Sequence, residues 1–253
     1  GIEAFIEYLA SLGFQDLALT TNGFSLAARA HGLKAAGLPR INISLGSLQA
    51  EKFDRITRTH GALAQVLAGI EAAAAAGFSP IRLNAVIVRG FNDDEIVDFV
   101  RFAQAHGLAM RFIEFMPLDA DRIWDWSRVV TAREILAQLR QLGELVELPR
   151  QPSSETALRY CFRDNGAEIG LVAAVSRPFC GQCSRIRLTA DGKLRTCLFS
   201  LAEHDLRDLV RNGASDAELA AAIARIVAEK EEGHRINQPD FVPPKRTMGF
   251  IGG

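Results

Sequence analysis

The feature that most constrains this chain is the alternation that runs through its first half. Short β-branched or apolar runs, LALT from Leu17, INISL from Ile41, IRLNAVIV from Ile81 and MRFIEF from Met110, are separated by stretches of helical period. The runs read as buried parallel strands, and the stretches as helices over 25–38, 61–77 and 93–106. Asn92 is the expected N-cap of the third helix, with Asp93, Asp94 and Glu95 in its first turn, where carboxylates meet the positive end of the helix dipole. Repeated β-α units imply a parallel sheet or barrel with right-handed crossovers, whose ligands sit beyond the carboxyl ends of the strands. Thr20, Thr21, Asn22 and Gly23 follow the first run, Ser44 ends the second, and Met116 with Pro117 closes the fourth. Only four such runs are clear and a helix over 1–12 precedes them, so a closed eight-stranded barrel is not encoded. The expectation is an α/β fold, either a small open sheet or a barrel lacking its first strands.

After Thr131 the rhythm changes. A helix over 131–142 starts with a Thr131/Glu134 capping box, LVELP reads as a strand, and a hairpin turns at Asp164-Asn165-Gly166. A last helix, 215–232, has its own Ser215/Glu218 box, and its Glu229-Lys230-Glu231-Glu232 end reads as a solvated face with no special role. The proline-rich tail from His234 reads, taken alone, as disordered. The expected organisation is a (β/α) region over 1–130 and a distinct C-terminal region over 131–253.

That second region carries FCGQCSRIRLTADGKLRTCLF, Phe179 to Phe199, which spaces three cysteines as C-x2-C-x13-C. With one further cysteine, remote in sequence, the pattern points to ligand chemistry in a reducing cytoplasm, not to a disulfide framework. Two readings stay open. Zinc would recruit Cys161 or His204 as a fourth ligand, whereas a four-iron cluster on Cys180, Cys183 and Cys197 would leave one iron free for a substrate atom. SRIRLTADGKLRTCLF is a hairpin turning at Ala190-Asp191-Gly192. A three-residue loop with Gly192 left-handed sets Arg187 opposite Arg195 and Arg185 opposite Cys197, while a two-residue turn shifts the register and separates them; the first is preferred, since it alone puts cations beside the metal ligand. Residues 176–199 carry Arg177, Arg185, Arg187, Lys193 and Arg195 against Asp191 alone, which attracts an anion. The whole chain, at net charge −1, offers no general argument for nucleic acid, and no apolar run reaches the ~20 residues that span a bilayer.

The motifs LTTNG, INISL, LNAVIVRGFND, RFIEFM, the cysteine segment and the terminal Gly-Gly together resemble the GTP 3′,8-cyclase family of molybdenum cofactor biosynthesis, radical S-adenosylmethionine enzymes. The resemblance covers essentially the whole chain. It implies an incomplete triosephosphate-isomerase-like (β/α) barrel and two four-iron clusters, with a C-terminal region that closes the barrel's open side. It also implies a reaction: an N-terminal C-x3-C-x2-C cluster cleaves S-adenosylmethionine, and the 5′-deoxyadenosyl radical takes hydrogen from C3′ of GTP. The carbon radical then attacks C8 to give 3′,8-cyclo-7,8-dihydro-GTP.

By motif, the resemblance makes Cys180, Cys183 and Cys197 the C-terminal cluster ligands and Thr20, Arg82, Arg111, Arg185 and Arg187 GTP contacts. Ser44 and Met116 match S-adenosylmethionine contacts, and Gly252-Gly253 resembles a tail that reaches the active site. It further implies a homodimer, and a partner enzyme that processes the cyclic product. The chain departs from the pattern in having no C-x3-C-x2-C, no GGEP stretch, and Gly46 where the family reads Asp after Ser-Leu. The expectation is therefore the C-terminal portion of a cyclase, inactive alone. The alternative is a non-catalytic nucleotide-binding remnant holding zinc or a cluster for structure.

Overall fold

The computed structural model describes residues 1–118, 122–149 and 155–251, which divide into two compact units. The first comprises 1–115, 127–149 and 157–173, and the second 116–126, 150–156 and 174–253.

In the first unit the chain order is α1 (Ile2–Ser11), β1 (Ala18–Thr21), α2 (Leu26–Ala35), β2 (Arg40–Ser44), α3 (Ala50–Thr57), α4 (Ala62–Ala75) and β3 (Ile81–Ile87). Then follow α5 (Ile96–Ala105), β4 (Ala109–Glu114), α6 (Ala132–Leu139), β5 (Leu145–Glu147), β6 (Leu158–Phe162) and β7 (Glu168–Val172). One sheet runs β1-β2-β3-β4-β7-β6-β5. Neighbours from β1 to β4 and on to β7 are parallel, while β7-β6 and β6-β5 are antiparallel. The four expected parallel strands are present, and the hairpin expected around Asn165 extends their sheet. The fold is thus α/β with a mostly parallel sheet.

Strands β3 and β4 are not buried on both faces as parallel strands usually are, whereas the middles of β2 and β7 are. In β3, Ile81, Leu83, Ala85 and Ile87 are buried while Arg82, Asn84 and Val86 alternate to the other side. Ile41, Ile43, Leu83, Met110, Phe112, Ile169 and Leu171 join one apolar cluster with Leu33, Val66, Ile70, Phe99, Val100 and Ile135 from the helices. The opposite face is polar. Thr20 and Thr21 lie within β1 and do not follow it, so Thr20 stands on that face.

Asn92 departs from its expected role. It makes no cap to the third helix, which opens with a tight turn over Asp93–Glu95 before α5. Its amide nitrogen donates to Gly46 O at 2.8 Å and Val86 O at 2.9 Å, and its Oδ1 accepts from Val88 N at 2.8 Å. A fully buried amide that satisfies three backbone groups is worth more as a latch between two strand ends than as a solvent-side cap. The Thr131/Glu134 box of α6 is present, and the buried Glu114 at the end of β4 accepts from Ala132 N at 2.8 Å. The short helix α3 is absent from the sequence-based expectation.

The second unit contains β8 (Arg187–Leu188), β9 (Lys193–Arg195), β10 (His204–Asp205), α7 (Arg207–Arg211) and α8 (Asp216–Ala228). The three strands form an antiparallel sheet in the order β10-β9-β8. The Ser215/Glu218 box opens α8, but the helix stops at Ala228, before the charged run expected to extend it. The tail, expected to be disordered, is held at several points. Arg246 pairs with Asp191 at 2.9 Å and Glu203 at 2.8 Å, Asn237 Nδ2 donates to Val175 O at 2.9 Å, and Ile251 is fully buried. Specific ion pairs and two buried side chains, Ile236 and Ile251, replace the apolar periodicity that a sequence reading looks for. Gly252 and Gly253 lie outside the described residues.

Candidate functional site

On the polar face of the first unit, strand register sets the candidate residues in rows. Thr20, Asn42 and Arg82 are lateral neighbours across β1, β2 and β3. Ser44, Asn84, Arg111, Gly170 and Arg159 make the next row. Thr20, Arg82, Arg111 and Ser44 therefore share one face, though Arg82 stands near the amino end of β3 and not at the strand edge expected of a ligand contact. Asn42 Nδ2 donates to Thr20 Oγ1 at 3.2 Å, while Oδ1 of Asn42 and Oδ1 of Asn84 are buried without a hydrogen-bond partner.

Gly170 lies directly beside Arg111: a Cβ there would stand in ordinary contact with its Cγ and Nε, both at 3.5 Å. Arg159 grips Glu168 with Nε at 3.0 Å and Nη2 at 2.9 Å. That grip, helped by the charges of Arg82 and Arg111, holds the Glu168 carboxyl below its usual range. Arg82, Arg111 and Arg159 thus gather three cations around Glu168 on this face, an arrangement suited to an anion. Asn42, Asn84, Arg159 and Glu168 are not in the sequence-based set. Only the rows formed by register reveal them.

In the second unit the hairpin takes the three-residue loop. Thr189 N donates to Lys193 O and Gly192 N to Thr189 O, both at 2.9 Å, with Gly192 at φ +81°. An L side chain is strained there and would also meet Arg207 Cβ at 2.6 Å. Arg187 accordingly pairs with Arg195, and the ladder ends before reaching Arg185 and Cys197. Burial first, then the charges of Arg185 and Arg195, push the Arg187 guanidinium below its usual value, while Cys197 and Cys183 act in the opposite sense. Arg187 and the two sulfurs therefore lie within electrostatic reach of one another.

Cys180 opens a tight turn in which Cys183 N donates to Cys180 O at 2.9 Å. Arg185 stacks over the Phe179 ring at 4.7 Å, and its Nε donates to Cys183 Sγ at 3.3 Å. Burial raises the Cys183 thiol, but hydrogen bonds from Arg185 and the charges of Arg185 and Lys230 outweigh it, leaving the thiol below its ordinary value. Burial pushes Cys197 up despite the bond from Phe199 N. The remaining cysteine, Cys161, sits on β6 opposite Val146 and Glu168 in the first unit, and His204 lies on β10 opposite Leu194. Met116 is half-buried just past β4 and belongs to the second unit.

Among the described residues no three His, Cys, Asp or Glu side chains form a group able to hold a metal ion. A mononuclear tetrahedral zinc needs its ligands drawn to one point, whereas thiolates on separate irons of a cluster stand apart. Free cysteines with Arg185, Arg187 and Lys230 in electrostatic reach of Cys183 or Cys197, cations that offset thiolate charge, suit the second kind of group in donor type and electrostatics.

Residues 1–103 match the Radical SAM superfamily, and residues 108–236 match Molybdenum Cofactor Synthesis C. A GTP 3′,8-cyclase of Rhodopirellula baltica is 44% identical over 244 residues, covering 95% of this chain and 68% of that protein. The chain belongs to the GTP 3′,8-cyclase family. A GTP 3′,8-cyclase of Mycolicibacterium smegmatis is 47% identical over 242 residues, which is 94% of this chain and 67% of that protein. One of Streptomyces coelicolor is 42% identical over 255 residues, covering all of this chain and 74% of that protein. Family membership implies iron-sulfur clusters and S-adenosylmethionine as cofactors. No helix among the described residues is long and apolar enough to cross a membrane.

Proposed function

We infer that this chain serves the GTP 3′,8-cyclase reaction, the radical S-adenosylmethionine-dependent conversion of GTP to 3′,8-cyclo-7,8-dihydro-GTP that begins molybdenum cofactor biosynthesis. Residues 1–130 supply part of an incomplete (β/α) barrel, and 131–253 the cluster-bearing, GTP-binding region. The observation that supports this reading is that Arg187, held on β8 opposite Arg195, lies within electrostatic reach of Cys183 and Cys197, so a cation for a nucleotide's phosphates stands near two of the three cysteines.

Cys180, Cys183 and Cys197 would hold a four-iron cluster. A cluster bound by three thiolates offers one coordinatively open iron to a donor atom of the substrate. Arg185 and Arg187 bind phosphate through charge-assisted hydrogen bonds, and the stacking of Arg185 on Phe179 fixes the direction in which that guanidinium presents itself. Arg82, Arg111 and the Thr20 hydroxyl are likewise assigned to GTP, and Ser44 and Met116 to S-adenosylmethionine. Gly252 and Gly253 are assigned to the active-site tail. The cyclic product passes to a partner enzyme.

The reading is tested by anaerobic reconstitution followed by titration with GTP, guanosine and inorganic triphosphate. GTP should bind more tightly than guanosine and perturb the paramagnetic resonance of the reduced cluster, while triphosphate should bind without perturbing it. Identical behaviour of GTP and triphosphate would mean that the site reads charge alone. The 253-residue chain contains no C-x3-C-x2-C, so on its own it should form no 5′-deoxyadenosine from S-adenosylmethionine and a strong reductant. Formation above a protein-free background would overturn that expectation.

A further inference from the structure

The charged run that follows α8 is solvated at Glu229, Glu231 and Glu232, as the sequence suggests, but Lys230 has a role of its own. Past Ala228 the chain leaves the helix and turns Lys230 inward, where Nζ donates to the carbonyl of Arg185 at 3.0 Å and also to that of Thr196. One of these carbonyls lies two residues after Cys183, and the other immediately precedes Cys197. A single ammonium therefore ties together two cysteine-bearing segments. The next residue, Glu231, accepts from Thr196 Oγ1 at 2.6 Å and takes a further bond from Ser200. Gly233 completes the set. A Cβ there would stand 2.9 Å from Cys180 Cβ and 3.5 Å from its Sγ, so a side chain at 233 must displace the third cysteine.

We propose that residues 230–233 form a cradle that presets Cys180, Cys183 and Cys197 for the cluster, with Lys230 and Gly233 as positioning residues. The proposal rests on the reading of those cysteines as cluster ligands. Its physical basis is outer-shell orientation: a metal ligand held by a second group loses less freedom on binding, and removal of that group weakens the site. Lys230 adds a second effect. A fixed cation beside a cluster stabilises the reduced, more negative state and so raises the reduction potential.

The experiment compares the full chain with Lys230→Met, Lys230→Arg, Gly233→Ala and Cys180→Ser after anaerobic reconstitution. Iron and sulfide content, the rate of iron release to a ferrous chelator and the midpoint potential are measured for each. Lys230→Met should release iron about 10-fold faster or more, the usual cost of deleting an outer-shell partner, and its potential should shift negative. Lys230→Arg, which keeps the charge, should hold the potential close to the parent value. Gly233→Ala should speed iron release without moving the potential, since it displaces a ligand and leaves the charge unchanged. A parent chain that takes up no iron, or a Cys180→Ser variant that keeps its full complement, would sink the cysteine assignment itself. If the parent chain assembles its cluster and Lys230→Met matches it in both release rate and potential, the cradle is wrong and the cysteine assignment stands. Should Lys230→Met fail to fold, Gly233→Ala decides: unchanged release there overturns the cradle.

Discussion

The sheet region and the cysteine region hold their shapes by different physics. In the sheet region the deepest large side chains are apolar, Phe99, Phe112, Leu83 and Ile87 among them, and they form one continuous cluster with the helices. In the cysteine region a guanidinium occupies that place. Arg195 is 2% exposed, with Nη1 2.5 Å from Glu203, and Lys193 and Arg246 converge on the same carboxylate at 3.7 and 2.8 Å. Leu194, Leu206 and Ile226 make a small apolar cluster nearby. Burial of apolar surface is non-directional and tolerates local change, whereas a buried ion pair is strict about geometry and costly to break. The region that supplies the candidate cluster ligands is therefore the one whose interior depends on charge geometry.

The largest expected effect separates the regions outright. Cys197→Ser should abolish cluster assembly, because each of three anchors is needed, while the helical circular dichroism of the sheet region stays intact. Cys161→Ser, on β6, should leave about four iron per chain, as one cubane cluster requires. Iron retained in Cys197→Ser, or lost in Cys161→Ser, would break the division.

Two destabilising changes sharpen it next. Glu203→Gln leaves the Arg195 charge buried without its carboxylate and should cost about 3–5 kcal/mol, seen in denaturant as early loss of the cluster chromophore. Phe112→Ala, which removes an edge contact with Phe99, should cost about 3–5 kcal/mol in the sheet region and leave iron content unchanged before unfolding. If both variants lose the cluster at the same denaturant concentration, the two regions unfold as one cooperative body.

A smaller effect concerns the ligand. Arg187→Ala should weaken GTP binding by roughly ten-fold, the worth of one charge-assisted phosphate contact, and leave the cluster spectrum unchanged. A changed spectrum with unchanged affinity would make Arg187 a prop for the cysteines and not a substrate contact.

The smallest effect is local to the sheet region. Thr131→Ala should cost about 1 kcal/mol through loss of the α6 cap. The Thr131 hydroxyl and backbone, with Arg89, hold the Glu134 carboxyl down from 4.5 to about 2. Because the folded value lies below the unfolded one, this contribution is fully present above pH 4.5 and is lost as the pH falls toward about 2. Thermal unfolding between those limits should therefore show a shallower acid dependence in Thr131→Ala than in the parent. Parallel curves would place the acid sensitivity elsewhere.

Local chemistry was legible in the sequence wherever one short segment carries its own cause. The four parallel strands follow from their apolar runs, and the starts of α6 and α8 from a hydroxyl and a carboxylate three residues apart. The cysteine spacing and the local excess of arginine likewise pointed to the candidate site before any fold was known. Tertiary structure alone decided the rest. It selected the three-residue hairpin loop, which sets Arg187 opposite Arg195, over a two-residue turn that the same letters permit. It turned Asn92 from a cap into a latch between strand ends, since Gly46 lies 46 residues away and leaves no mark beside it. It stopped α8 at Ala228 and brought Lys230 to carbonyls 45 and 34 residues distant. Helical period and capping are properties of neighbours in sequence, so a sequence can announce them. A hydrogen bond that closes a loop of that length depends on which surfaces the folded core brings together, and no local pattern encodes it.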